Sequence, residues 1–209
     1  TKAFLGQMLV LYLFSIKIAF VRGSIDKDKY QTKIKSLLSL ADLVKNTLDT
    51  DNQIQSACNS FVDAKGSMFL GRGSSFPIAL EGALKLKELA YIHAEGYPAG
   101  EMKHGPLALI EDGMPVVVIA PRDYYYNKTI SNMQEVIARG AKVLLITNKS
   151  TDEIFSENIW QKIEVENTDD DLLPFLITIP LQKLAYHSAL KKGYDIDKPR
   201  NLAKSVTVE

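Results

Sequence analysis

The sequence has few of the residues that build covalent or metal-based sites. Cys58 is the only cysteine among 209 residues, which excludes an internal disulfide and a cysteine-based metal cluster. Such sparing use of cysteine is typical of a reducing compartment, so we expect a cytoplasmic protein. The three histidines, His93, His104 and His187, are too far apart along the chain to indicate a zinc site. No metal site is therefore predicted.

The sequence also lacks an excess of charge of either sign. It has 25 basic and 25 acidic residues, so no broad basic surface suggests binding to nucleic acid or to an anionic membrane. A hydrophobic content of 46% is too high for a disordered chain, and we find no internal repeat or low-complexity segment. Small molecules and other subunits are the expected partners.

An uninterrupted apolar run of membrane length is absent as well. Residues 4–21 are strongly apolar, but Gln7, Ser15 and Lys17 interrupt them. We therefore predict neither a transmembrane segment nor a signal peptide, and expect a core or inter-domain helix buried on several sides. Because the sequence begins with Thr1 rather than Met, it is expected to be a fragment.

The rest of the chain changes its periodicity near residue 64. Residues 24–63 repeat apolar side chains at helical spacing, with a break at residues 50–52. After that, apolar runs alternate with helical patterns, which predicts an α/β fold with a mainly parallel sheet. The predicted strands span residues 67–70, 115–120, 142–147 and 162–166, and the predicted helices span 77–93, 128–139 and 172–192. We expect a helical lead-in at residues 1–63 and a sheet-containing unit at residues 64–209.

A glycine-rich turn, GRGSS at residues 71–75, follows the first predicted strand. Ligands bind at the carboxyl ends of parallel strands, where a helix N-terminus offers N–H groups to an anion such as phosphate. The spacing matches neither of the usual glycine-rich phosphate motifs. A tight turn with a serine N-cap explains the same residues.

The helix after this turn has two contrasting faces. Glu81, Lys85 and Glu88 fall on one side at 100° per residue, and small apolar residues fall on the opposite side. On pattern alone, the Glu-Lys-Glu stripe is expected to be a solvated ladder of ion pairs. The alternative is a stripe facing a ligand, in which a lysine modulates a carboxylate base.

Two further residues are candidates for acid–base or covalent chemistry. His104 lies in a loop with glycines and a proline that could bring its imidazole to a cleft, although it could equally be a surface residue. Lys204 lies in a polar tail with little reason to pack, and its amine could attack a carbonyl if its pKa were lowered. A solvated tail lysine is the simpler interpretation.

Three segments together resemble a known family. They are LEGALKLKELAYIHAE at residues 80–95, AGEMKHGPLALI at 99–110 and DKPRNLAKSVTVE at 197–209. In these segments, and more loosely over essentially the whole chain, the sequence resembles the isomerase portion of the glutamine-fructose-6-phosphate aminotransferases. The resemblance implies a flavodoxin-like, three-layer fold of the sugar isomerase (SIS) type. Residues 1–63 would then contain the end of a first SIS subdomain with linker helices, and residues 64–209 the second SIS subdomain.

The resemblance also implies a reaction and roles for individual residues. Fructose 6-phosphate and glutamine would give glucosamine 6-phosphate and glutamate, without a metal, nicotinamide or pyridoxal cofactor. Glu88 would shuttle a proton between sugar carbons 1 and 2 with Lys85 beside it, and Lys204 would form a Schiff base with the ketose. Ala203 would contact the sugar through its backbone. His104 would assist ring opening in the neighbouring subunit of a homodimer.

The family's glutamine-hydrolysing domain and most of its first SIS subdomain, which holds the sugar phosphate, have no counterpart in these residues. The 209 residues alone are therefore expected to be inactive with glutamine and to bind fructose 6-phosphate weakly. Two other functions remain open at this point. One is a stand-alone SIS phosphosugar isomerase or deglycase, which would not need Lys204. The other is a non-catalytic sugar-sensing SIS module.

Overall fold

The computed structural model describes residues 2–150 and 159–200. Helices precede the first strand, as the periodicity of the lead-in predicts. Asp26 caps the second of them by accepting a hydrogen bond from the backbone N–H of Lys29. In order, these helices are α1 Lys2–Val21, α2 Lys27–Leu38, α3 Leu40–Leu48, α4 Asp51–Ala57 and α5 Asn59–Val62.

A parallel sheet follows, with the strand order β2-β1-β3-β4-β5 in the described part of the chain. This order reverses direction between β1 and β3, as in doubly wound folds. The strands are β1 Ser67–Gly71, β2 Ala94–Pro98, β3 Pro115–Ile119, β4 Lys142–Asn148 and β5 Gln161–Val165. The remaining helices are α6 Ser75–Ala90, α7 Tyr126–Ile137 and α8 Leu173–Lys191, with short 3-10 turns at Met102–His104 and Pro106–Leu109.

The sheet lies between two layers of helices, and alternate strand residues supply two separate cores. Phe69, Val117 and Leu144 point to the side covered by α4, α6 and α8. Met68 and Val116 point to the other side, which α7 and the segment after β2 cover. Burial on both faces explains why the central strands are continuously apolar. The predicted three-layer α/β fold is confirmed.

The sequence patterns missed one strand and one helix break. No strand is predicted at residues 94–98, because Glu95, Gly96 and Pro98 are poor strand residues. They are accommodated because β2 is an edge strand, where one side of the backbone needs no ladder partner. Ser39 separates α2 from α3 within a stretch that reads as one amphipathic helix.

The prediction that α1 is buried on several sides is wrong for the described chain. Ile16 is its buried residue, whereas Val10, Leu11 and Phe14 are each more than 60% exposed. Among the described residues, α1 is the helix that is long and apolar enough to cross a membrane, a test that signal sequences and core helices also pass. The helix instead lies along the surface, with Tyr12 edge-on to Phe175 of α8.

Candidate functional site

Helix α6 lies close to the sheet because the residues on its inner face are small. Ala79, Ala83 and Ala90 are fully or almost fully buried there. At Gly82, an added Cβ would lie 3.0 Å from the Phe69 ring and 3.1 Å from Leu181, so a larger residue would separate α6 from β1 and α8. This tight packing fixes the direction in which the ionic face points.

The ionic face of α6 holds a lysine between two carboxylates. Lys85 Nζ lies 2.5 Å from Glu88 Oε2 and 3.9 Å from Glu81 Oε1. The exposed fractions of the Glu81, Lys85 and Glu88 side chains are 7%, 13% and 26%. The expectation of a solvated ladder is therefore wrong, because most of the surface of these three side chains is removed from water. Gln182 of α8 interacts with Glu81, the most buried of the three. Partial burial strengthens the interactions between these charges.

Glu81 is the member of this cluster that the site prediction omitted. Burial raises the pKa of its carboxyl, an effect that the charge of Lys85 partly opposes. Its Oε1 and the Nε2 of Gln182 on α8 are both buried, and the interaction of the Gln182 amide with the Glu81 carboxyl acts to lower the same pKa. The sequence offered one signal, since Glu81 falls on the same helical face as Lys85 and Glu88. It could not show that Glu81, at 7% exposure, is more buried than Glu88 at 26%.

The GRGSS turn between β1 and α6 is filled by the protein's own side chains. Arg72 Nε donates to Asn132 Oδ1 at 3.1 Å, and the Arg72 guanidinium packs against Gly100. The Tyr125 ring covers Gly73, whose φ of +53° suits glycine. Ser74 occupies the N-cap position of α6 without making a side-chain capping hydrogen bond. The turn is structural, as the simpler interpretation held, although its serine does not cap through its side chain.

His104 lies away from the ionic face of α6. It ends the 3-10 turn Met102–His104 that follows edge strand β2, and its side chain is 76% exposed with Nε2 4.0 Å from Glu101 Oε2. Within the described part of the chain, no hydrogen bond or ion pair joins it to Glu81, Lys85 or Glu88. An imidazole so exposed is accessible to a group from outside this chain.

Lys204 and Ala203 lie outside the described residues. The chain leading to them is described as far as Arg200. The backbone N–H of Arg200 donates to the hydroxyl of Tyr91 at 2.7 Å. Tyr91 follows the last residue of α6, so Arg200 contacts the end of the helix that carries Glu88.

A cleft of about 720 Å³ among the described residues lies elsewhere. It borders the amino ends of β1, β3 and β4, and its lining includes Ser67, Pro115 and Lys142. Glu88 and Lys85 are absent from its lining, so volume alone gives no reason to place the chemistry there. Among residues 2–150 and 159–200, no group of three or more His, Cys, Asp or Glu side chains is arranged to hold a metal ion.

The α6 cluster is chemically suited to moving a proton from carbon. Glu88 is the more exposed carboxylate, so it can meet a substrate, and the ammonium of Lys85 beside it can modulate its charge. Glu81 is a second, more buried carboxyl on the far side of Lys85. The arrangement places a candidate base (Glu88), a cation (Lys85) and a second carboxyl (Glu81) along one helix face.

Comparison with known proteins gives consistent matches. The family model described as "SIS domain" matches residues 60–192. Over all 209 residues, the chain is 46% identical to glutamine–fructose-6-phosphate aminotransferase (isomerizing) of Bartonella henselae and 49% identical to that of Bacteroides thetaiotaomicron. The chain spans 34% of the length of these curated relatives.

A solved structure also matches closely. The C-terminal domain of glucosamine-fructose-6-phosphate aminotransferase from Francisella tularensis superimposes with a TM-score of 0.91 at 43% identity. The match covers 95% of this chain and 56% of that one. The similarity therefore extends through the helical lead-in as well as the sheet.

Proposed function

We propose, since the chain belongs to the SIS domain family, that it forms the sugar-isomerising part of a glutamine-fructose-6-phosphate aminotransferase. The whole reaction would convert fructose 6-phosphate and glutamine to glucosamine 6-phosphate and glutamate, in the cytoplasm. The helical lead-in, residues 1–63, would join residues 64–209 to the preceding part of the isomerase. The observation that carries the proposal is the Lys85 ammonium held between two carboxylates on a partly buried face of α6.

In this proposal the protein's own side chains supply the chemistry. The Lys204 amine attacks carbon 2 of the open-chain ketose and releases water, which gives an imine and makes the neighbouring C–H more acidic. Glu88 removes a proton from carbon 1 and returns it at carbon 2 on one face of the intermediate, and the Lys85 ammonium stabilises the Glu88 carboxylate before the proton is taken up and after it is returned. Before carbon 2 is protonated, ammonia from glutamine adds to carbon 2 of the imine and the Lys204 amine leaves, because the product carries the amino group at carbon 2. Ala203 contacts the sugar through its backbone.

The stand-alone isomerase and the sugar-sensing module are not favoured. The relatives at 46% and 49% identity match along all 209 residues, which include the tail that a stand-alone SIS enzyme would not need. No observation on the described residues supports a sensing module over an enzyme.

The test is Glu88→Gln in the complete polypeptide, because glutamine keeps the size of the side chain and removes the base. We expect sugar isomerisation to fall by about 10²–10⁴-fold while glutamine hydrolysis continues. Glu111→Gln, at an exposed position, is the matched control and should leave both rates unchanged. If the Glu88 variant still isomerised the sugar at the normal rate, the assignment would be lost.

His104 would act in the neighbouring subunit of a homodimer, which the 76% exposure of its side chain permits. Co-expressing Glu88→Gln with His104→Ala tests this arrangement. If the histidine crosses the interface, the mixed dimer has one site with both residues intact, and activity reappears although each variant alone is inactive. If His104 serves its own subunit, every site carries a defect and the mixture stays inactive.

A further inference from the structure

We propose that Arg72 is a positioning residue that fixes the His104 segment, residues 99–105, so that the imidazole is presented to the neighbouring subunit in one direction. This role rests on the proposed function, in which His104 assists the opening of the sugar ring. It gives the GRGSS turn at residues 71–75 a purpose that the proposed chemistry of α6 leaves out.

The His104 segment follows an edge strand, so the sheet holds it on one side only. It contains Gly100 and Gly105, and its one helical turn is the short 3-10 helix Met102–His104. A turn of this kind has little hydrogen-bonded structure of its own. The direction of its side chains must therefore be fixed by contacts with neighbouring elements.

Two of these contacts anchor the segment to the sheet. The Ala99 N–H donates to the Gly71 carbonyl at 2.9 Å, which continues the pairing of β1 with β2 by one residue. Met102 is fully buried in the core on the α7 side of the sheet. Gly100 lies between these two anchors.

The Arg72 side chain occupies the space beside Gly100. An added Cβ at Gly100 would lie 2.8 Å from Arg72 Nη2 and 3.2 Å from Arg72 Cζ, so the guanidinium lies against the glycine backbone. Arg72 Nε donates to Asn132 Oδ1 at 3.1 Å, and Asn132 of α7 is 6% exposed. The guanidinium is thus held by a buried amide on one side and contacts the His104 segment on the other.

A second side chain joins the His104 segment to α7. Lys103 Nζ lies 2.9 Å from Glu135 Oε1, and the two side chains are 57% and 24% exposed. An ion pair so open to water contributes little by itself. Glu135 and Asn132 are three residues apart and share one face of α7, so Lys103 and Arg72 reach the same face. With Lys103 turned toward α7, the next side chain, His104, is 76% exposed.

The direction of the imidazole matters because ring opening moves protons. The bond between carbon 2 and the ring oxygen breaks, the ring oxygen gains a proton, and the hydroxyl on carbon 2 loses one to leave the ketone. An imidazole can carry such protons near neutral pH when it lies within hydrogen-bond reach of the oxygen. A displacement of about 1 Å can slow a reaction about 100-fold. A residue that fixes the His104 segment therefore affects the rate without touching the sugar.

Two substitutions disturb the contact from opposite sides. Arg72→Met removes the guanidinium and keeps much of the side-chain volume. Gly100→Ala keeps the arginine but places a methyl group where the guanidinium lies. The φ of Gly100 is not positive, so alanine suits its backbone, and the flexible end of Arg72 can move aside. Arg22→Met is the matched control, because Arg22 is exposed in the turn after α1.

The measurement compares two ketoses in the complete polypeptide at saturating concentration. The analogue 5-deoxyfructose 6-phosphate lacks the hydroxyl that closes the furanose ring, so it needs no ring opening. We expect isomerisation of fructose 6-phosphate to slow about tenfold in Arg72→Met and about threefold in Gly100→Ala, while the analogue reacts as in the unsubstituted protein. Amide hydrogen exchange of residues 99–105 should become faster in the same order. The control should match the unsubstituted protein in every assay.

Three results would overturn the role of Arg72. Equal slowing with both sugars would show that Arg72 supports the fold of the whole site. Faster exchange at residues 99–105 with an unchanged rate on fructose 6-phosphate would show that Arg72 holds the segment without serving His104. Unchanged exchange would show that Arg72 does not hold the segment.

The variant His104→Ala distinguishes these results from a failure of the proposed function. It should lose the isomerisation of fructose 6-phosphate and keep that of the analogue. If it isomerised fructose 6-phosphate normally, or lost both sugars equally, His104 would have no part in ring opening and the role of Arg72 would fall with it. An unsubstituted protein that did not isomerise the analogue would contradict the open-chain ketose as the reacting form, and with it the proposed function.

Discussion

Helix α1 exposes apolar side chains to water, and helix α6 keeps charged side chains largely out of it. Helix α1 exposes Val10, Leu11 and Phe14 to solvent, whereas α6 keeps the Lys85 ammonium largely out of water between two carboxylates. The difference lies in what covers each helix. Helix α6 packs extensively against α8, while α1 meets the rest of the chain along a narrow contact. The environment of a helix face is therefore a property of its neighbours as much as of its residues.

The largest effect should come from removing the cation of the α6 cluster. Lys85→Met would leave Glu81 and Glu88 facing each other without a counter-ion, and breaking a buried ion pair costs about 3 kcal/mol. In the complete polypeptide we expect sugar isomerisation to fall about 100-fold or more, because the base loses the group that modulates its charge. Lys87→Met, at an exposed position on the same helix, is the control and should leave activity and unfolding unchanged.

If both lysine variants behaved alike, the Glu-Lys-Glu stripe would be an ordinary surface ladder. Helices α1 and α6 would then differ in solvent exposure alone, and the burial of the Glu-Lys-Glu stripe would have no effect on catalysis.

Substitutions of two residues of α1 should lower the free energy of unfolding by different, smaller amounts. Ile16 is 5% exposed and Phe14 is 62% exposed. Replacing Ile16 with Gln buries an amide in an apolar contact and should lower the free energy of unfolding of the 209-residue chain by about 2 kcal/mol. Phe14→Gln should change it by less than about 0.5 kcal/mol. Denaturant unfolding of both variants measures this, and equal losses would mean that α1 is covered on both sides.

The same contrast explains how far the sequence could predict the structure. Periodicity predicted the strands β1, β3, β4 and β5 and the helices α6, α7 and α8, because residues buried on fixed faces leave a local pattern. It missed β2, whose position at the sheet edge is set by pairing with β1 rather than by its own residues. It placed Glu88 and Lys85 on one face but could not show that both side chains are largely removed from water. The family resemblance supplied the roles of His104 and Lys204, which stay predictions.

The helical lead-in makes stronger contacts with α8 through α4 than through α1. Substitution of Asp51, the first residue of α4, tests this. Asp51 Oδ1 lies 2.6 Å from Lys183 Nζ and 2.7 Å from His187 Nε2, both on α8. Burial acts to raise the pKa of Asp51, but hydrogen bonds from His187 and Lys183 outweigh it, and the pKa lies below its ordinary value. Asp51→Asn should therefore destabilise the chain, by about 1 kcal/mol or less because the carboxylate is partly exposed.

The sign of its pH dependence follows from the lowered pKa. The Asp51 carboxylate contributes stability above its unfolded pKa of 3.8, and this contribution is lost as the pH falls through the lower folded value. The difference between the parent and Asp51→Asn should be full near neutral pH and should vanish once the pH has fallen below the lowered folded pKa of Asp51. A difference that stayed constant to lower pH would show that the amide disrupts packing rather than removing a charge.

The smallest change in the free energy of unfolding should come from Glu81. It should be an increase, whereas the other substitutions cause a decrease. Burial raises the pKa of this carboxyl, so its ionised form is less favourable in the folded chain than in the unfolded chain. Glu81→Gln should therefore increase the free energy of unfolding near neutral pH, by about 0.5 kcal/mol, while it slows sugar isomerisation in the complete polypeptide. The gain should disappear as the pH falls below the ordinary value of 4.5, where the parent carboxyl is protonated in both states. Thermal unfolding across this pH range measures it, and a variant less stable than the parent at neutral pH would show that the Lys85 ion pair outweighs the cost of burying Glu81. An increase in stability together with a loss of activity would mean that α6 retains the buried Glu81 carboxyl for chemistry rather than for folding. Helix α1, whose exposed face is apolar, gives no reason to expect such a role.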